Sequence, residues 1–220
     1  MDGTRAPLKE FDEVCLSHDA MIVVDESHAT GSHSPFGMVS DLGLWDKHSS
    51  ILASVHTYGK AWGGSGASVV CGEVFREWLV NYAKGQVFST SLPVFTLKAI
   101  EQGYDLMMQC GCGGEGDERR KKLHSAVANF EAAVGRNELV SSRLIAGGSW
   151  IQGVVIPGNF EVVKVCDEVR RRGYEGFPIR SPTVEKGGER VRIVLHEFNS
   201  EREIEGLVEA LGDAIENVEK

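Results

Sequence analysis

The chain has 220 residues, 42% of them hydrophobic and 25% charged, proportions that support a packed core and exclude a mostly disordered or fibrous protein. Its 23 Lys+Arg against 32 Asp+Glu give a net charge of -9, which excludes a general attraction to nucleic acid or an anionic membrane while leaving room for a local basic pocket for an anionic ligand. The longest apolar runs, Met21–Val24 and Ala67–Cys71, fall far short of the roughly 18 residues of a membrane helix. The opening MDGTRAPLKE has neither an apolar signal core nor the character of a transit peptide, so a cytoplasmic placement is expected. Cys15, Cys71, Cys110, Cys112 and Cys166 are an odd, scattered set that suits reduced thiols. Cys110-Gly111-Cys112 has no second pair or His cluster beside it, so no metal is expected. Glycine is the one unusual count, 26 residues, about 12% against a usual value near 7%.

In chain order, Leu8, Phe11, Val14, Cys15 and Leu16 recur at helical spacing between Pro7 and His18, and the run Met21–Val24 then ends at Asp25. That predicts a helix followed by a buried strand. Ile51–Val55 and Ala67–Cys71 read as two more strands, each buried on both faces. Helical patterns follow at about 73–84, 93–109 and 117–135, so the alternation predicts an α/β layer with a mainly parallel sheet. Beyond Gly135 the pattern reads strand (150–156), helix (160–172), strand (191–195) and closing helix (201–218), a smaller α+β lobe. The connection 110–118, CGCGGEGDE, is rich in glycine and charge and marks the boundary, giving domains 1–118 and 119–220.

Two residues stand where α/β folds build their sites, beyond the carboxyl ends of strands: Asp25 in MIVVDESHATG and Lys60 in HTYGKAWGGSG. A carboxylate and a lysine brought together there admit a half-buried ion pair or a pyridoxal phosphate site, in which lysine bonds the cofactor aldehyde and aspartate holds the pyridine nitrogen protonated. Thr57 precedes Lys60 by three, and Gly59, Gly63, Gly64 and Gly66 free the surrounding backbone to approach a phosphate or a flat ring. His28 follows Asp25 by three and faces the same ligand if the strand turns there.

With VVDESHATG (23–31), HTYGKAWGGSGASVVCG (56–72), FSTSLP (88–93) and RSPTVEKGGERVRIVLHEFNS (180–200) in this order, the sequence resembles the α-oxoamine synthases, fold-type I pyridoxal phosphate enzymes that condense an amino acid with an acyl-CoA and release carbon dioxide. The resemblance implies an α/β fold corresponding to the C-terminal half of such a transferase, with part of the large-domain sheet and a small α+β lobe. It implies Lys60 as the cofactor-linking lysine, Asp25 as partner of the pyridine nitrogen, His28 as neighbour of the ring phenolate oxygen and Thr57 as a phosphate contact. Ser89 and Thr90 would lie near the cofactor phosphate of a partner subunit in a homodimer. Arg192 would grip the substrate carboxylate, which a guanidinium binds bidentately, with Thr183 as a second substrate contact. Arg190 shares a strand face with Arg192 and could take either part.

IQGVVIPGN (151–159) and SPTVEKGGERVRIVLHEFN are most similar to the branch that joins pimeloyl-CoA to L-alanine in biotin synthesis; branches that use glycine with acetyl-CoA or succinyl-CoA share the same core. Because the resemblance opens in the middle of the family pattern, the sequence is expected to be a fragment lacking the family's phosphate-binding glycine loop, its ring-stacking aromatic residue and several strands. The loop GSHSPFGMVS has fewer glycines than its family counterpart. An alternative from another class is a non-catalytic remnant that serves as an interaction module.

Overall fold

In a computed structural model, residues 2–46, 48–108, 115–145 and 147–219 are described. The Cys110-Gly111-Cys112 connection lies outside them. The chain forms two compact units, residues 6–118 and residues 119–220 joined by residues 1–5.

The first unit opens with α1 (Leu8–Ser17). Its Leu8 and Asp12 are buried, while Phe11, Val14 and Leu16 stay exposed. Asp12 ties the helix to the next strand, accepting from the Ser50 amide and hydroxyl, each at 2.6 Å, and from the Ser49 hydroxyl at 3.0 Å. These donors hold its carboxyl below the usual range, with the Ser50 hydroxyl first among them. β1 (Ile22–Asp25) and β2 (Ile51–Thr57) pair in parallel, Asp25 opposite Val55, so their carboxyl ends lie together. β3 (Ala67–Cys71) returns antiparallel to β2, Thr57 opposite Ala67.

The three-stranded sheet, order β1-β2-β3, is therefore mixed rather than mainly parallel. The segment 58–66 is too short for the crossover that a parallel neighbour requires, and the Tyr58 amide closes it by donating to the Gly66 carbonyl at 3.0 Å. Nor are β1 and β3 buried on both faces: Val23, Val69 and Val70 are 57%, 47% and 46% exposed. Both are edge strands, and an apolar sequence shows what a strand could bury, not what lies over it. Between β1 and β2 the loop holds a short helix, α2 (Gly37–Asp41), too brief to carry a period. After β3 come α3 (Glu73–Tyr82), α4 (Lys84–Val87) and α5 (Val94–Met108).

α6 (Glu115–Gly135) carries the chain into the second unit, where α7 (Glu138–Ser141) is capped by Asn137, which accepts from the Val140 amide at 3.2 Å. β4 (Ile151–Val155), α8 (Asn159–Arg171), β5 (Phe177–Ile179), β6 (Arg190–Val194) and α9 (Glu201–Glu219) follow. The sheet is antiparallel, in the order β4-β6-β5. Strand β5, three residues around Pro178, has no alternation to read in the sequence. α8 buries Val162, Val165, Cys166 and Val169, the one-face spacing of an amphipathic helix, against a core that includes Phe130, Val154, Val191, Leu211 and Ile215. Burial pushes the Cys166 thiol up to about 12. Residues 2–5 join this unit through the Asp2–Arg190 ion pair at 2.9 Å and the Arg5 guanidinium, which donates to the Gly148 carbonyl at 3.0 Å. No helix among the described residues is long and apolar enough to cross a membrane.

Candidate active site

β1 ends at Asp25 and the chain turns at once, so that Asp25, Ser27 and His28 occupy one tight bend. The Ser27 amide donates to Asp25 Oδ1 at 2.9 Å and the Ser27 hydroxyl donates to the same oxygen. These two donors, helped by the positive charges of Lys60 and His28, hold the Asp25 carboxyl below its usual range against the opposing effect of desolvation. Asp25, His28 and Lys60 all reach solvent, and they lie close enough for their charges to be felt at one carboxylate.

Lys60 sits in the return segment 58–66, three positions beyond the end of β2. The Gly63 amide donates to the Lys60 carbonyl at 2.9 Å and the Gly64 amide to the Tyr58 carbonyl at 2.7 Å, which gives the loop a fixed shape. Thr57, the last residue of β2, has a buried Oγ1 with no hydrogen-bond partner among the described residues. A buried hydroxyl without a partner carries a desolvation cost, and a ligand oxygen placed there would remove it.

Beneath this surface lies a buried polar network that the sequence reading did not anticipate. The Glu26 carboxylate accepts from the Met38 and Val39 amides at 3.0 and 2.7 Å, capping α2. The Thr30 hydroxyl donates to the Glu26 carbonyl at 2.8 Å, so its oxygen accepts from His56 Nδ1–H at 2.8 Å, and His56 Nε2 accepts from the Ser54 hydroxyl at 2.7 Å. Burial lowers the pKa of His56, with Glu26 acting the other way, so the ring is neutral at neutral pH. Alternation in β2 was the available signal: Ser54 and His56 are two apart and share its buried face. Beside the Lys60 loop an aromatic group was also missed. The Tyr58 and Tyr104 hydroxyls are 3.3 Å apart, Tyr58 meets the Ser68 hydroxyl at 2.7 Å, and the Trp62 and Tyr104 ring centroids are 4.6 Å apart.

Ser89 and Thr90 follow α4 in exposed positions, and the Ser89 hydroxyl donates to the Gly85 carbonyl. No described contact joins them to Asp25, Thr57 or Lys60. Thr183 and Arg192 belong to the second unit. Thr183 is exposed on the loop before β6, and Arg192 lies on β6 with a buried Nε that has no partner among the described residues. Arg190, on the same face, is engaged by Asp2 and donates to the Gly188 carbonyl at 2.8 Å. The two arginines are therefore unequal, and Arg192 keeps donor capacity for a ligand.

The fold thus brings a lysine loop, a strand-end aspartate favoured as an anion and a buried hydroxyl without a partner among the described residues to the carboxyl ends of β1 and β2. The chain belongs to the class I and II aminotransferase family, whose model matches residues 1–211. Among its relatives, the 8-amino-7-oxononanoate synthase of Emericella nidulans is 32% identical over 227 residues, covering 100% of this chain and 53% of the relative. The enzyme of the same name from Salmonella arizonae is 32% identical, covering 97% and 53%. The chain thus spans about half the length of the curated relatives it matches.

Among solved structures, a serine palmitoyltransferase from S. paucimobilis with bound PLP–myriocin aldimine superposes with a TM-score of 0.85 at 22% identity, covering 100% of this chain and 53% of that one. The 8-amino-7-oxononanoate synthase from Francisella tularensis gives 0.72 at 22% identity over 89% and 55%. At such identities the likeness establishes the fold.

Proposed function

We propose that this chain carries the lysine-bearing part of a pyridoxal phosphate-dependent acyltransferase that condenses an amino acid with an acyl-CoA, releasing coenzyme A and carbon dioxide and leaving an amino ketone. L-alanine and pimeloyl-CoA are the proposed pair, after the resemblance of segments 151–159 and 181–199 to the biotin-synthesis branch, with glycine and a shorter acyl-CoA as the competing pair. A homodimer and a cytoplasmic setting complete the reading.

The observation that carries it is the buried Thr57 hydroxyl, without a partner among the described residues, three residues before Lys60, whose charge favours the Asp25 anion. The residues fit the cofactor: a hydroxyl in need of an acceptor suits a phosphate oxygen, and a fixed anion suits a protonated pyridine nitrogen. When bound, pyridoxal phosphate supplies the electron sink for the carbanion left by loss of the amino acid's α-proton. Asp25 provides the anion, kept in place by Ser27. His28 lies in the same bend and is assigned a hydrogen bond to the ring oxygen. Thr57 donates to the phosphate, with Ser89 and Thr90 assigned to the phosphate of a partner subunit. Lys60 holds the cofactor in the resting state, and its amine, once free, takes and returns the α-proton. Arg192 and Thr183 are assigned to the substrate carboxylate, Arg192 because its Nε has no partner among the described residues, whereas Arg190 donates from Nε to the Gly188 carbonyl and from Nη1 to Asp2.

The test is reductive trapping. Residues 1–220 incubated with millimolar pyridoxal phosphate and then reduced with borohydride should carry the cofactor on Lys60 in peptide mass spectrometry, and Lys60→Ala should lose it. Cofactor found instead on Lys84 or Lys186 removes the assignment.

A further inference from the structure

We infer that Trp62 positions Lys60 against the Asp25–His28 bend, its indole acting as a peg seated between two glycines that belong to different elements. This rests on reading Lys60 as the cofactor-bearing amine. Backbone pairing of β2 with β3 holds the two ends of segment 58–66 and its internal backbone bonds fix its shape, but none of these reaches across to the bend. Placement falls to side chains. Gly31, at the far end of the bend that carries Asp25 and His28, has φ +82°, and a Cβ built there would lie 2.8 Å from Trp62 Cε3 and 3.4 Å from Ala61 Cβ. On the other side, a Cβ at Gly103 of α5 would run into Trp62 Nε1.

The indole N–H donates to the Ile100 carbonyl of the same helix at 3.4 Å, and the ring packs on Tyr104 and Tyr58 with centroids 4.6 and 5.8 Å away. Real Cβ atoms do not come as close to a ring as either built position does, so both glycines are spaces shaped to one side chain. Trp62 is two residues from Lys60. A lysine has a long flexible stem, and its amine is useful only where the backbone holds it within reach of its partners, so a loop free to slide past the bend would scatter it.

A purely stabilising tryptophan makes a different prediction at Gly103. That residue lies inside α5, where alanine is the better helix former, so Gly103→Ala strengthens the helix while crowding the indole. Trapping on Lys60 under the conditions above should fall by about ten- to a hundredfold in both Trp62→Ala and Gly103→Ala, the cost of a misplacement near an ångström. Labelling of the exposed Lys84 and Lys98 should not change.

Hydrogen exchange supplies a readout that needs no cofactor: Trp62→Ala should speed exchange in 58–66 and, across the contact, in 28–34. Parent-like trapping on Lys60 in both single variants, or exchange in 28–34 that Trp62→Ala leaves unchanged, overturns the inference. A parent that labels other lysines instead would sink the cofactor reading of Lys60, and the exchange result would still decide whether Trp62 couples the loop to the bend.

Discussion

Asp25 has a reason to stay charged that does not depend on any ligand. Two donors from Ser27 meet one of its oxygens, and both favour the anion. An asparagine at this position would keep an oxygen for those donors but lose the charge, so the bend should persist while the electron sink weakens. Asp25→Asn is therefore expected to leave trapping on Lys60 intact and to slow cofactor-dependent exchange of the alanine α-proton in deuterated water. The expected loss is roughly a hundredfold, the scale of one preorganised charged contact in an active site. Proton NMR reads that exchange directly, and a parent-like rate would make Asp25 a structural acid. At this scale the sequence named Asp25, His28, Thr57 and Lys60 because short motifs carry them. The resemblance named Arg192, but the strand pattern by itself could not separate it from Arg190, since an equal place on a strand face says nothing of which one Asp2 engages. Trp62 was hidden for a similar reason: its two glycine neighbours lie far away along the chain in opposite directions.

β2 does two jobs. Its carboxyl end leads to Thr57 and Lys60, and its buried face carries Ser54 and His56 into the network that grips Thr30. In that network His56 donates once and accepts once, which only the neutral ring can do. Its folded pKa lies below the ordinary value of 6.5, so the unfolded chain binds a proton that the folded chain refuses. Stability from this residue is full above the unfolded value and is lost as pH falls from about 6.5 toward the lower folded value. Asp12 and Asp25 do not share that window, because lowered carboxyl pKa values add their loss only below about 4. Urea melts between pH 7 and pH 5 should show the first unit weakening in the parent and a flatter response in His56→Gln, and identical slopes would remove His56 as the cause. Capping by Glu26 gives a second check, since glutamine in its place would turn an N–H group toward a backbone N–H. Glu26→Gln should cost about 2 kcal/mol, the penalty for leaving a buried donor unsatisfied, in the same melts. The helices of both units were legible because an amphipathic period needs only a few turns. α2, α4, α7 and β5 were not, since none is long enough to show a period.

The two units differ in how much apolar surface they bury. From Ala126 to Ile215 the second unit has one continuous core. Among the described residues, the buried apolar side chains of the first unit are Leu8, Val39, Ala53 and Tyr58, while Val74, Tyr82, Phe88, Val94 and Phe95 are each more than two-thirds exposed. Full burial of one such side chain contributes about 1.5–3 kcal/mol, so the second unit holds much the larger share of the hydrophobic stabilisation. Nothing in the sequence signals this asymmetry, because both halves are similarly apolar and periodicity reports which face could be buried rather than whether it is. Asp25, His28, Thr57 and Lys60 all belong to the unit with the smaller core. Hydrogen exchange of residues 1–220 should therefore divide by unit. Amides of α8, β6 and α9 should exchange only through cooperative opening of their unit, and those of β1 and β3 should exchange at least about a hundredfold faster, a gap of ~2.7 kcal/mol in opening free energy. Millimolar pyridoxal phosphate should slow exchange in segments 23–31 and 56–66 while leaving α8 and α9 unchanged, because a ligand stabilises the unit that binds it. Equal protection of β1, β3 and α9 in the absence of cofactor would contradict the unequal cores and show that few buried side chains suffice to hold the lysine-bearing sheet.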